Sequence, residues 1–115
     1  MKLTEFVKSY NFHDSYIETI EYNEKEEEIT AVIHFAFWMQ DGYVVGTPET
    51  GLIRVLFKGV KKYICENGDP AGAFVGILGS EIIDGELVIN FVDDESVEYF
   101  EMKISAEEVF VEVQD

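Results

Sequence analysis

The sequence predicts a mainly β, α+β protein: an antiparallel β-sandwich or partial barrel of about seven strands with one short N-terminal helix. Three observations carry this prediction. From Tyr16 onward, β-branched and aromatic residues recur in short runs, several of them alternating with polar residues. Clusters of Asn, Asp, Gly, Pro and Ser separate the runs. An Asp84-Gly85 pair stands between Glu81-Ile82-Ile83 and Glu86-Leu87-Val88-Ile89, and a two-residue turn of that kind needs the positive φ that glycine adopts cheaply. With 115 residues, 47% of them hydrophobic and 14% aromatic, residues 1–115 suit one β-rich domain with its own core.

Leu3, Phe6, Val7 and Tyr10 follow the spacing of one apolar helical stripe, so a helix is expected over residues 3–10, capped by Thr4 and ended by Asn11. A helix this short persists only if its stripe docks on a sheet. Residues 16–22 read as a strand closed by Asn23-Glu24-Lys25-Glu26. Residues 29–39 read as a long, nearly two-sided strand, which suits a central place in the sheet with Trp38 under the helix. Asp41-Gly42 ends it, and residues 46–51 have the composition of a loop. Residues 52–58 alternate as a half-exposed strand, while 60–65 read either as its bent continuation or as a helical turn. After a loop at 67–72, a strand over 74–83 contains Gly76 and Gly79, marks of a bulge or a close backbone approach. Turns at 93–96 and 105–107 then join strands near 97–104 and 109–114, so the second half reads as a meander ending in a hairpin. The expected core comprises Phe6, Ile20, Ile33, Phe35, Phe37, Val55, Phe57, Ile82, Leu87, Ile89, Phe100, Met102 and Val111.

The 24 acidic and 8 basic residues give a net charge of -16. Such a surface repels nucleic-acid phosphates and anionic lipid headgroups, so neither nucleic acid nor membrane is an expected partner, and a basic protein is. The single cysteine, Cys65, has no intrachain disulfide partner, the N-terminal MKLTEFVKSY is no signal peptide, and no apolar run is long enough to span a bilayer. A cytoplasmic location is expected.

His13-Asp14-Ser15 contains the residue types of a hydrolase triad, but neighbours in a chain do not converge as nucleophile, base and orienting group must. The expectation is structural: Asp14 or Ser15 bonds nearby amides where the helix hands over to the first strand, and His13 packs locally. No catalytic residue is assigned. His34 reads as a sheet-face histidine, and no H-x-H or H-x₃-H spacing supports a metal site. Asp93-Asp94-Glu95 lacks the spaced ligands of a calcium loop and reads as a solvated turn. No phosphate-binding glycine motif occurs, so no metal and no cofactor is expected. Cys65, beside Glu66, reads as inert.

The charge is unevenly placed. Residues 91–115 carry nine acids and one base, Lys103, a net of -8, whereas residues 51–70 carry four bases against two acids, a net of +2. If the last two strands form a hairpin, Phe100, Met102, Ile104, Val109, Val111 and Val113 point inward, leaving Tyr99, Glu101, Lys103, Glu108, Phe110 and Glu112 on the opposite face. Aromatics ringed by carboxylates resemble an interface for a basic partner, so Tyr99, Glu101, Glu108, Phe110 and Glu112 are the candidate partner-binding residues. The contrasting readings are a solvated sheet face, a small enzyme or ligand-binding protein with a pocket of convergent polar groups, and a structural subunit of a homo-oligomer.

The opening Phe12-His13-Asp14-Ser15-Tyr16-Ile17-Glu18-Thr19-Ile20 and the later Arg54-Val55-Leu56-Phe57-Lys58-Gly59-Val60 resemble small bacterial proteins with an F-H-D-S-type start, which include immunity proteins of polymorphic toxin systems. The resemblance touches about a third of the chain. It implies a β-rich binding protein that neutralises a toxin, often a basic nuclease, and it carries no functional residue over to this sequence.

Overall fold

A computed structural model of the chain describes residues 1–114. It contains one helix, α1 (Leu3–Ser9), and eight strands: β1 (Tyr16–Asn23), β2 (Glu28–Ala36), β3 (Thr50–Lys58), β4 (Lys62–Cys65), β5 (Val75–Ile83), β6 (Glu86–Asp93), β7 (Glu98–Ser105) and β8 (Glu108–Val113). All eight belong to one sheet, in the order β4-β7-β6-β5-β1-β2-β3-β8, and every pair is antiparallel. The protein is mainly β with one short helix, as its sequence predicts. The strand beyond the expected seven is β4, from the segment whose alternation left two readings open.

Chain connectivity forces the sheet to curl. β3 and β4 are consecutive in the chain but six positions apart in the sheet. Six steps of about 4.8 Å would hold them ~29 Å apart in a flat sheet. The connection from Lys58 to Lys62 reaches at most ~14 Å. The two ends of the sheet therefore meet at one corner, where Ala106 and Glu107 carry β7 across to β8 in parallel with the first crossing. Gly59 turns the chain there at φ 66°, and a Cβ on it would lie 2.7 Å from the Glu107 side chain. The Glu107 amide donates to the Lys58 carbonyl at 3.0 Å and the Lys61 amide to that of Ser105 at 2.9 Å. Since β4 and β8 do not pair, the barrel is partial.

A second discontinuity lies opposite that corner. β1 and β5 share a single register pair, Tyr16 with Gly76, so the sheet splits into a β1-β2-β3-β8 half and a β5-β6-β7-β4 half. α1 lies over the concave side and contributes Leu3 and Phe6 to the core. The Phe6 ring packs against those of Phe12 and Phe57 at 5.2 and 5.8 Å, and Phe12 packs edge-on against Phe35 at 5.3 Å. Ile33, Val55, Leu87, Ile89 and Met102 are buried around them. Ile20, Phe37, Ile82, Phe100 and Val111 of the expected core are half-buried at its edge.

Several local expectations are corrected. β7 and β8 do not form a hairpin: both sides of β7 are taken, by β6 and β4, so β8 crosses to the free side of β3. Val113, expected inside, is 56% exposed at the far end of β8. Thr4 does not cap α1, whose N-cap position is Lys2 with no side-chain bond. The chain is instead held by Met1, whose amino group donates to the Val109 carbonyl at 3.0 Å and whose carbonyl accepts the Val109 amide at 2.8 Å. The long strand stops at Ala36, where the chain enters a 3-10 turn at Phe37–Met39, and Trp38 is exposed instead of covered by the helix. The bulge lies between Ile77 and Gly79, whereas at Gly76, where β1 meets β5, a Cβ would meet nothing within 4 Å, so no close approach calls for glycine there. At Asp84-Gly85 both φ values are positive, 52° and 80°, as a two-residue hairpin turn requires.

Candidate functional site

His13, Asp14 and Ser15 form the seam between the two halves of the sheet. Ser15 is buried, and its Oγ accepts the Ala36 amide at 3.0 Å. Its carbonyl accepts the Ile77 amide at 2.9 Å, while the Asp14 amide donates to the Ile77 carbonyl at 3.1 Å. His13 Nδ1 lies 2.8 Å from the Leu78 carbonyl oxygen, so that nitrogen carries the hydrogen and donates it. The structural reading holds, with longer reach than the local turn the sequence suggests: these bonds cross to β2 and β5. A serine hydroxyl engaged by a backbone amide and closed to solvent is not placed to attack a substrate.

The five partner-binding candidates divide between two places. Tyr99 and Glu101 stand on β7 and Glu108, Phe110 and Glu112 on β8, strands at opposite ends of the sheet order. All five are exposed, Tyr99 most of all at 70%. On β8 the register sets Glu112 opposite Arg54 and Glu108 opposite Lys58, and Lys58 Nζ lies 5.6 Å from the centre of the Phe110 ring. The basic stretch of residues 51–70 thus lies partly beside the acidic C-terminal one, which softens the charge asymmetry at β8. Asp115 lies outside the described residues.

Around Tyr99 the balance is different. No Lys, Arg or His occurs from Tyr63 to Met102, a segment with ten carboxylates. That run is the signal that reading the chain by its ends overlooks. It folds into the end of β4, the loop after it, and the β5-β6-β7 meander. Register places Gly76, Val92 and Tyr99 side by side, and the Asp94 amide donates to the Phe74 carbonyl at 2.8 Å just beyond them. Phe74 and Val97 are therefore neighbours of Tyr99 at the β6–β7 turn, and they are 63% and 67% exposed. Alternation with the buried Met102 and Ile104 puts Tyr99 on the convex side of the sheet, and Phe74 and Val97 lie in the turns that flank it.

The turn has a defined internal structure. Asp93 Oδ1 accepts the amides of Glu95 and Ser96 at 2.9 and 3.4 Å, which spends the carboxylate on the backbone and leaves Asp94, Glu95 and Glu98 facing water. Val97 completes the turn at φ 56°, a conformation that costs a β-branched residue about 1–2 kcal/mol. Below Tyr99, an open groove of about 660 Å³ runs over Ile64, Leu78, Asn90, Glu101 and Lys103, with Lys62 at its far end bonded to Glu86 at 3.1 Å.

Two titratable groups of β4, beside this groove, are affected by burial. Burial raises the Tyr63 hydroxyl and the Cys65 thiol above their ordinary values, and the Asp69 carboxylate adds to both effects. Cys65 is thereby kept as the less nucleophilic thiol, with Asp69 in the part that the sequence suggests for Glu66. Among the described residues no group of three or more His, Cys, Asp and Glu side chains is arranged to hold a metal ion, and no helix is long and apolar enough to cross a membrane. Comparison with protein-family models, curated proteins and solved structures gives no match.

Proposed function

We propose that this protein is a binding module for a basic protein, and that it acts as a toxin-neutralising immunity protein does, by covering a cationic surface. The observation that carries this reading is the exposed apolar trio of Phe74, Val97 and Tyr99 set among Asp94, Glu95 and Glu98, in a segment without a single base. Carboxylates at such a rim steer a basic partner and speed its encounter, while desolvated aromatic contacts slow its departure. Tyr99 is the central contact, with Asp94, Glu95 and Glu98 as the steering charges, while Glu101 shares its charge with Lys103, 3.4 Å away. Phe110, Glu108 and Glu112 are secondary, because Lys58 and Arg54 already face them.

The test is affinity capture from the cell that makes the protein, with wild type and a Val97→Asp/Tyr99→Ala chain, washed at rising salt. The expected result is a protein of high isoelectric point, retained by wild type, released by salt and lost with the double variant. Equal retention by both chains, or capture of an acidic protein alone, overturns the reading.

A further inference from the structure

The convex face of the sheet holds a gap that the fold does not call for. Gly76 lies in β5 between the buried Val75 and Ile77, so the side chain it lacks would stand on that face. Its φ is outside the left-handed region and a Cβ there would meet nothing within 4 Å, so neither conformation nor packing requires glycine. A glycine inside a strand weakens the sheet and often marks a place where a ligand comes close to the backbone. Register sets Val92 of β6 on one side of it and Tyr16 of β1 on the other, with His34 next in the row. The Tyr16 and His34 rings are stacked, 4.9 Å apart and 9° from parallel. That separation matches the spacing of neighbouring strands, so each ring stands over its own strand and turns its faces along the row. One face of Tyr16 is covered by His34, and the other is turned to Gly76.

We propose that this slot receives the guanidinium of an arginine side chain, stacked on the open face of Tyr16. The source of that arginine, a basic protein, rests on the reading of the Tyr99 face given above, because Tyr99 lies in the same row just beyond Val92. β1 and β6 are two strand spacings apart, about 9.6 Å, which leaves room for one planar group in contact with the ring at about 3.5–4 Å. Charge selects a cation. β1, β5 and β6 contain no Lys, Arg or His. On the strands beyond them, Lys103 lies 3.4 Å from Glu101, and Arg54 faces Glu112 in register. His13 is engaged by the Leu78 carbonyl and by Asp14, and His34 by Tyr16 itself. Glu18, two residues along β1 from Tyr16, and Asp94, whose amide bonds the Phe74 carbonyl, are exposed and make no ion pair among the described residues. Arginine is favoured over lysine because its planar, weakly hydrated guanidinium stacks on an aromatic face, whereas an ammonium has no plane to offer.

The probes are a blocked Gly-Arg-Gly-Arg-Gly peptide and its lysine and citrulline counterparts, the last planar but uncharged, titrated into the isotopically labelled protein at low salt. The arginine peptide should shift the Tyr16 ring and Gly76 amide signals and bind about fivefold more tightly than the lysine peptide, and the citrulline peptide should leave those signals in place. Gly76→Val fills the slot with a strand-favouring side chain, so the thermal midpoint should rise while affinity for the arginine peptide falls about tenfold. Tyr16→Leu keeps apolar bulk without a ring face and should lose the preference for arginine. The peptide comparison is made on wild type and does not depend on the folding of either variant. Equal affinity for the arginine and lysine peptides, shifts that leave Tyr16 untouched, or a stable Gly76→Val chain that binds the arginine peptide as wild type does overturns the proposal. A captured basic protein that binds Gly76→Val as tightly as wild type removes the slot and leaves the Tyr99 face standing, whereas an arginine peptide seated on Tyr16 with no basic protein captured does the reverse.

Discussion

The Ser15 hydroxyl accepts the Ala36 amide at 3.0 Å in a site closed to water, and this bond ties the start of β1 to the end of β2 at the place where the sheet nearly comes apart. It explains a sequence that looks catalytic. Replacing Ser15 with Ala leaves the Ala36 N–H buried without an acceptor, which costs about 1–3 kcal/mol. A urea titration should show a lower midpoint with an unchanged slope, whereas unchanged stability removes the seam role.

Val97 holds a left-handed backbone at an exposed turn, so Val97→Gly should stabilise the fold by about 1 kcal/mol. The same change deletes an exposed apolar contact and should weaken partner binding. Thermal unfolding and a binding isotherm read the two effects separately. A less stable Val97→Gly protein contradicts the strain.

At the corner where both ends of the sheet cross, Gly59→Ala meets two obstacles, a positive φ and a Glu107 side chain 2.7 Å from the new Cβ. The expected loss is more than about 1 kcal/mol. Shortening the obstacle in a Gly59→Ala/Glu107→Ala chain should recover part of it. No recovery means that the backbone conformation alone sets the cost.

Burial raises the Cys65 thiol and the Tyr63 hydroxyl above their ordinary values of 9.0 and 10.0. For an acid raised on folding, the unfolded chain loses its proton first. The stability contributed by the neutral forms is therefore complete below about pH 9 and declines as pH rises through the folded values. Alkylation of Cys65 should be slow at neutral pH and accelerate only above the range of a free thiol, as a stopped assay with a thiol reagent would show. Fast labelling at pH 7 contradicts this.

The parts of the fold that were legible in the sequence are those set by neighbours in the chain. Asp84-Gly85 demands its hairpin locally, and the apolar stripe from Leu3 to Tyr10 marks its helix. The partner of β8 is not written locally: Ser105-Ala106-Glu107 has the residues of a hairpin turn, yet β4 already occupies the edge of β7 that a hairpin would use. β4 in turn is only four residues long and lacks a clear period. Alternation sufficed to expose Tyr99 and Phe110, but their separation follows from that same long-range pairing. Phe74 and Val97 join Tyr99 through register across three strands, which no single segment displays.

Mapping the bound basic partner by amide shifts on the isotopically labelled protein tests the central claim most directly. The predicted result is a continuous set of perturbed amides over Phe74, residues 94–98 and Tyr99, with Tyr99→Ala raising the off-rate by about 1–3 kcal/mol and Glu95→Gln/Glu98→Gln lowering the on-rate and its salt dependence. Perturbations that leave this face untouched, or an affinity indifferent to all three substitutions, would contradict it.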